Sequence, residues 1–351
     1  MLTIGGGKML DERKQKILRA IINDYISTAE PIGSRTIARK YDLGVSPATI
    51  RNEMADLELL GYLEQLHTSS GRIPSVKGYR LYVDDLLAPE AMTENEINLI
   101  SNWYRAKARR AEEVFQETAK IISRLTKNIS LVLAPQLSQA NFRYLQFLPL
   151  DEKRVIVVIM TDAGFVENKL MTIPSGAAIE DLQLIAGIMN KHLAGRALDS
   201  IKPSILRKIK AEVMADADLF ERAIEMVAQA LTVEKKERLY MGGATQLMNQ
   251  PEFRDVDKMQ NLLNMLEEEQ LVCDLLSSHE NENGIIVTIG QENKYSGIKD
   301  CSMIRATYKL EGQVIGTIAV LGPTRMEYGK VMSLLEFMHN NLEKVLKKYK
   351  L

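Results

Sequence analysis

The chain has 351 residues, 46% hydrophobic and 26% charged, with a formal net charge of −1, a length that suits two or three domains at about 100–200 residues each. A balance so close to zero excludes a broadly basic nucleic-acid coat, and no apolar run reaches the roughly 18 residues of a membrane span. Cys273 and Cys301 stand apart without a partner Cys or His at metal-ligand spacing, the pattern of reduced thiols in a cytoplasmic protein.

The leader up to Met9 is too short and too weakly apolar for a signal peptide, so residues 1–9 read as a flexible tail with Met9 as a second candidate start. From Arg13 to Thr28, Ile17, Leu18, Ile21, Ile22, Tyr25 and Ile26 recur at helical spacing and present a broad apolar face. Pro31 ends that run. Gly33-Ser34 opens a short helix from Arg35 to Tyr41, and Asp42-Leu-Gly44 makes a tight turn.

The next helix is the most informative. Ser46 is placed to cap it, and Pro47 at the first helical position loses no hydrogen bond by lacking its N–H. At about 100° per residue, Ile50, Met54, Leu57 and Gly61 form one stripe, with Ala48, Arg51, Asn52 and Ala55 roughly opposite. Small residues let the helix approach base edges, where Arg matches the acceptors of guanine and Asn the donor and acceptor of adenine. Downstream, Gly61 closes the helix, Tyr62 to His67 alternates as a strand, Thr68-Ser-Ser-Gly71 supplies a turn, and Arg72-Ile-Pro-Ser75 returns. Helix, turn, capped helix and hairpin make a winged helix-turn-helix whose capped helix enters the major groove.

Arg51 and Asn52 are therefore expected to read bases. Ser46, Thr49 and Arg72 are expected on phosphates, with Arg72 at the wing tip, and Ala48, Arg35 and Lys77 complete the contact set. Gly33 to Arg80 holds seven basic residues and five acidic ones. A surplus of two is small, so placement and dimerisation must supply affinity. Lys77, Tyr79 and Arg80 open a further helix running to Leu87.

Ala88 to Thr93 reads as a linker ending in a capping box, Thr93-Glu-Asn-Glu96, before one long helix to about Lys127. Four β runs follow, Ile129–Ala134, Arg143–Leu148, Arg154–Met160 and Phe165–Met171, read as one antiparallel sheet, and then a helix from Ile179 to Leu193. The β pattern resumes at Gly284–Gly290, Met303–Leu310 and Val314–Leu321, and a terminal helix spans Met326 to Tyr349. Between these clusters lies a largely helical section with amphipathic segments at Leu219–Leu239 and Lys258–Leu275 and a scatter of methionines, Met214 and Met226 among them. Sheet, helical insertion, sheet indicates one α+β domain interrupted by another.

Nothing recommends an enzyme. Tyr240-Met-Gly-Gly-Ala-Thr245 lacks the Gly-Lys-Ser/Thr ending of a phosphate loop, and Asp255 and Asp257 lack partners at catalytic spacing. His67, His192, His279 and His339 sit in no metal or catalytic pattern. No cofactor or metal is expected.

Val45 to Glu58, Gly61-Tyr-Leu through Thr68-Ser-Ser-Gly-Arg-Ile-Pro-Ser75, Gly78 to Asp84, Leu239-Tyr-Met-Gly-Gly-Ala244 with Asn249-Gln-Pro-Glu-Phe253, and Leu321-Gly-Pro-Thr-Arg-Met-Glu-Tyr328 closely resemble the heat-inducible transcription repressor family HrcA. The resemblance implies a bacterial cytoplasmic repressor that binds an inverted-repeat operator before chaperone operons and is kept active by the chaperonin. It also implies a winged helix, a GAF-like α+β domain and an inserted dimerisation domain. On this basis the chain divides into a leader at 1–9, a winged helix at 10–88, a GAF-like domain at 93–194 and 277–351, and a dimerising insertion at 195–276. An alternative is a metabolite-responsive regulator with a small-molecule pocket in the sheet domain. With no phosphorylation cassette, metal site or redox pair in view, the folded population itself is the expected heat-sensitive variable, restored by the chaperonin.

Overall fold

The computed structural model describes residues 10–67, 71–87, 90–107, 111–134, 141–162, 166–173, 178–201, 238–277, 284–310 and 313–348, with positions 205, 225, 228 and 229. The expected leader, the wing tip at 68–70, Met214, Met226, His279 and most of the Leu219–Leu239 segment lie outside the described residues. Among the described residues, no helix is long and apolar enough to cross a membrane.

The N-terminal unit comprises α1 (Glu12–Thr28), α2 (Ser34–Lys40), α3 (Pro47–Leu59), β1 (Leu63–Glu64), β2 (Ile73–Pro74) and α4 (Val76–Leu81), which runs on into a π turn at Tyr82–Leu86. Asp11 starts α1 by accepting from the Lys14 amide at 2.8 Å. Ile17, Leu18, Ile21 and Ile22 then bury completely against Ile37, Ile50 and Leu57 of the next two helices. Full burial of such side chains contributes about 1.5–3 kcal/mol each, which holds a three-helix core together with very little sheet.

Two helices, α5 (Glu94–Lys107) and α6 (Ala111–Thr126), stand where one long helix was expected. The Tyr104 hydroxyl meets the Thr118 hydroxyl at 2.7 Å, and the Arg124 guanidinium lies 4.5 Å from the centre of the Trp103 ring. In one straight helix residues 104 and 118 would be about 21 Å apart, so the chain doubles back. A continuous apolar period fits both forms, and only the long-range contacts separate them. The Thr93–Glu96 capping box is present, with Thr93 N–H donating to Glu96 Oε2 at 2.9 Å.

Beyond α6 come β3 (Ile129–Ala134), β4 (Phe142–Pro149), β5 (Arg154–Thr161), β6 (Val166–Thr172), α7 (Ile179–Leu193), β7 (Arg238–Gly242), α8 (Val256–Glu267), α9 (Glu269–Ser277), β8 (Ile285–Ile289), β9 (Cys301–Leu310), β10 (Gln313–Pro323) and α10 (Tyr328–Lys348). The strands form two sheets. One is antiparallel with order β7-β3-β10-β9-β8, and the other is β4-β5-β6. The expectation of a single sheet through residues 129–171 is corrected here, and the reason is visible in the burial. All six residues of β3 are buried, so this strand needs cover on both faces; β4 and β5 alternate and need it on one.

The five-stranded sheet has α6 and α10 on one face, around Phe115, Tyr308 and Leu335, and α8 and α9 on the other, around Leu262, Val272 and Met303. The three-stranded sheet packs Leu145, Phe147, Val155 and Val157 under Leu182, Ile185 and Met189 of α7, as a separate core. The five-stranded sheet is thus interrupted between Ala134 and Arg238, not at 195–276. Two further expectations change. Leu239, read as helix, lies in β7 opposite Leu133, and the Lys258–Leu275 segment is two helices meeting at Glu268.

Candidate nucleic-acid interface

Ser46 caps α3 as its position predicts, its Oγ accepting from the Thr49 amide at 3.1 Å with Pro47 at the first helical position. Gly44, at φ +66, sets the turn that delivers it. At the other end, Gly61 N–H donates to the Glu58 carbonyl and Tyr62 N–H to the Leu57 carbonyl, both at 2.9 Å. That double bond pattern requires a left-handed residue, which Gly61 supplies at φ +80 without a Cβ penalty. Ile50, Met54 and Leu57 are buried, which turns Ala48, Arg51, Asn52 and Ala55 outward.

Of the eight residues singled out from the sequence, Arg35, Ser46, Ala48, Arg51 and Asn52 are exposed and Thr49 is half-buried. These six lie on α2, at the turn into α3 and on the first turns of α3. Neither Arg35, Arg51 nor Asn52 makes a side-chain hydrogen bond or ion pair with another described residue. The same is true of Arg39, on the exposed side of α2. An exposed arginine without a protein partner keeps its five donors open to solvent or to an arriving acceptor such as a phosphate oxygen or a guanine edge.

Arg72 and Lys77 stand differently. Arg72 directly precedes β2, on the side of the β1–β2 pairs that leads to residues 68–70, and exchanges two backbone bonds of 2.9 Å with Ile32. Its guanidinium turns inward to Glu58 of α3, with Nε donating at 2.8 Å. Ile32 thereby joins the wing by a single antiparallel bridge. Gly71 belongs to the same junction, because a Cβ there would come within 2.5 Å of the Ile32 backbone. The Lys77 ammonium donates to the Leu60 carbonyl at 2.8 Å and lies 4.4 Å from the Tyr62 ring centre, capping the end of α3.

The acidic residues of α3 are matched within the unit. Lys14 of α1 meets Glu53 at 2.6 Å and Asp56 at 3.2 Å, and Arg13 meets Glu53 at 3.5 Å. Hydrogen bonding to Glu53 raises the Lys14 pKa despite some desolvation, so this ammonium stays charged. With Glu53, Asp56 and Glu58 all paired, the unpaired cations Arg35, Arg39 and Arg51 dominate the exposed face. A surplus of two charges in the sequence understates that local field. Lys14 and Glu53 carry no local signal of this role, since the pairing spans 39 residues.

Cys273 and Cys301 are buried and in no disulfide, and burial pushes the Cys301 thiol up to about 12, far from nucleophilic use. Among the described residues no group of three His, Cys, Asp or Glu is arranged to hold a metal ion. Two open grooves lie among the described residues of the body, one of about 310 Å³ beside Asn264 and Tyr295 and one of about 230 Å³ beside Thr93 and Lys330.

Residues 9–84 match the family described as winged helix-turn-helix transcription repressor, HrcA DNA-binding, and residues 112–332 match the HrcA protein C-terminal domain. The heat-inducible transcription repressor HrcA of Pelotomaculum thermopropionicum is 44% identical over 339 residues, 97% of both chains. That of Desulforudis audaxviator is 44% identical over 340 residues, 97% of this chain and 98% of its own. A solved structure described as a hypothetical protein at 2.2 Å resolution aligns with a TM-score of 0.65 at 22% identity, over 97% of this chain and the whole of its own. At that identity the likeness speaks for the fold.

Proposed function

Because the chain belongs to the HrcA family of heat-inducible transcription repressors, we propose that it represses chaperone operons in the cytoplasm by placing α3 in the major groove of an inverted-repeat operator. Arg51 and Asn52 read base edges with small Ala48 letting the helix approach them, while Arg35, Ser46 and Thr49 lie along the phosphates. The observation that carries this reading is the exposed face of α3, where Arg51 and Asn52 have no partner among the described residues while every carboxylate of that helix has one.

Two half-sites call for a two-fold protein, and the dimer is assigned to the unit that interrupts the five-stranded sheet. Its own sheet supports this. One face packs on α7, and the other presents Tyr144, Leu148, Val166 and Leu170, each at least 40% exposed, around half-buried Ile156, Val158 and Met160. An apolar face left uncovered by the described residues suits a second copy of the same chain.

Heat control is assigned to the folded population, with the chaperonin returning the DNA-competent form. Leu131 pairs with Ala319 across the central strands, so the main sheet closes only after most of the chain exists. Such long-range pairing is slow and aggregation-prone, which makes refolding depend on assistance. The reader is tested by footprinting on the DNA upstream of the chain's own gene, followed by binding of Asn52→Ala and Arg51→Ala to the protected duplex and to a scrambled one. Parent-like discrimination by both variants would remove α3 from the role.

A further inference from the structure

The winged helix is fastened to the sheet body at two points far apart in the sequence. Arg325, just after β10, donates from Nη1 to the Ile26 carbonyl at 2.6 Å, in the last turn of α1. Its Nε meets Glu252 Oε1 at 2.7 Å and its Nη2 meets Gln250 Oε1 at 2.9 Å. Arg80, at the end of α4, donates from Nη2 to the Val287 carbonyl of β8 at 2.7 Å and from Nε to Glu292 at 2.9 Å. Glu292 is itself fixed by the Ile289 amide at 2.8 Å.

Between the two arginines, the buried rings of Tyr79 and Tyr328 lie 5.8 Å apart at 45°. The Tyr328 hydroxyl is placed by Ser302 at 2.6 Å and by the Thr324 carbonyl at 2.7 Å. Gly290, at φ +54, lets the body backbone approach α4 so closely that a Cβ would come within 2.8 Å of Val76. A single contact would leave the winged helix free to swivel. A charge-assisted bond from Arg325 to the Ile26 carbonyl on one side, and the Arg80 fork onto Val287 and Glu292 on the other, remove that freedom together with the ring contact, because a rotation about any one of them breaks another.

We infer that Arg325 and Arg80 are positioning residues for DNA recognition, holding the winged helix at one angle on the body so that the protein selects the spacing between half-sites. They touch no DNA in this account. Binding two half-sites at once gains from an effective concentration that is lost when geometry forbids simultaneous contact. A clamped reading head concentrates that gain at one spacing, and a loosened head spreads it. The inference rests on the two-half-site reading above.

The test uses the full-length chain, Arg325→Ala and the milder Glu292→Gln, on three duplexes: a single half-site, the paired half-sites at native spacing, and the pair shifted by about 5 base pairs, half a helical turn. The parent is expected to prefer native spacing by about tenfold or more. Both variants should bind the single half-site as the parent does, yet lose most of that preference. If Arg325→Ala does not fold, Glu292→Gln carries the comparison. Variants that keep the parent's spacing preference would overturn the inference and leave the two-half-site reading standing. Variants with parent-like melting that lose single-half-site binding would also overturn it. A parent indifferent to spacing would remove the two-half-site reading itself.

Discussion

The exposed face of the winged helix and its joint to the sheet body are built from the same residue type and put it to opposite uses. On the exposed face, Arg35, Arg39 and Arg51 have no partner among the described residues. At the joint, Arg325 uses Nε, Nη1 and Nη2 on three residues, and Arg80 reaches a backbone carbonyl and a carboxylate. Arg72 and Lys77 fall on the joint's side of this division although they sit close to the reading helix. A cation is therefore assigned to DNA by what the fold leaves unsatisfied around it, and proximity to the recognition helix is a poor guide.

The largest loss comes from removing core that both regions stand on. Ile50 is completely buried beneath α3, and Ile50→Ala should cost about 2–5 kcal/mol of stability. Denaturant unfolding should show the loss, and DNA binding should fall with the folded fraction. Arg325→Ala comes next, at about 1.5–3 kcal/mol for hydrogen bonds to a charged group, read in the same unfolding experiment.

Asn52→Ala sharpens the contrast from the other side. It should leave melting unchanged and cost about 1–3 kcal/mol of discrimination at one base position, measured by competition between operator and single-base variants. Lys77→Ala is the smallest, about 1 kcal/mol of stability, since it removes one exposed hydrogen bond to a helix end and one exposed ring contact. Operator affinity measured on the folded variant should be that of the parent.

Local physical chemistry made much of this legible in advance. Ser46, Pro47 and Gly61 mark the ends of α3, and the buried and exposed stripes of that helix follow from its period alone. Thr93 and Glu96 are spaced to cap each other, and the structure has them doing so. What escaped depends on partners distant in the chain. Nothing local to Arg72 announces its pairing with Glu58, and the doubling back between α5 and α6 is invisible in a continuous apolar period. The sheet division was not legible either: Val155–Met160 is as unbroken an apolar run as Ile129–Ala134, and only burial, alternating along β5 and complete along β3, separates a strand covered once from a strand covered twice. The motif around Arg325 was visible as a pattern, but its use required knowing that Gln250, Glu252 and the end of α1 converge on it.

The division between free and occupied cations is tested most directly by the salt dependence of operator binding. Each phosphate contact contributes about 0.9 to the slope of log K against log salt concentration. The account predicts that Arg35→Ala with Arg39→Ala lowers the slope by about 2, while Arg72→Ala with Lys77→Ala, measured on folded protein, leaves it at the parent value. A slope that falls for the second pair and holds for the first would contradict it, and would return Arg72 and Lys77 to the phosphates.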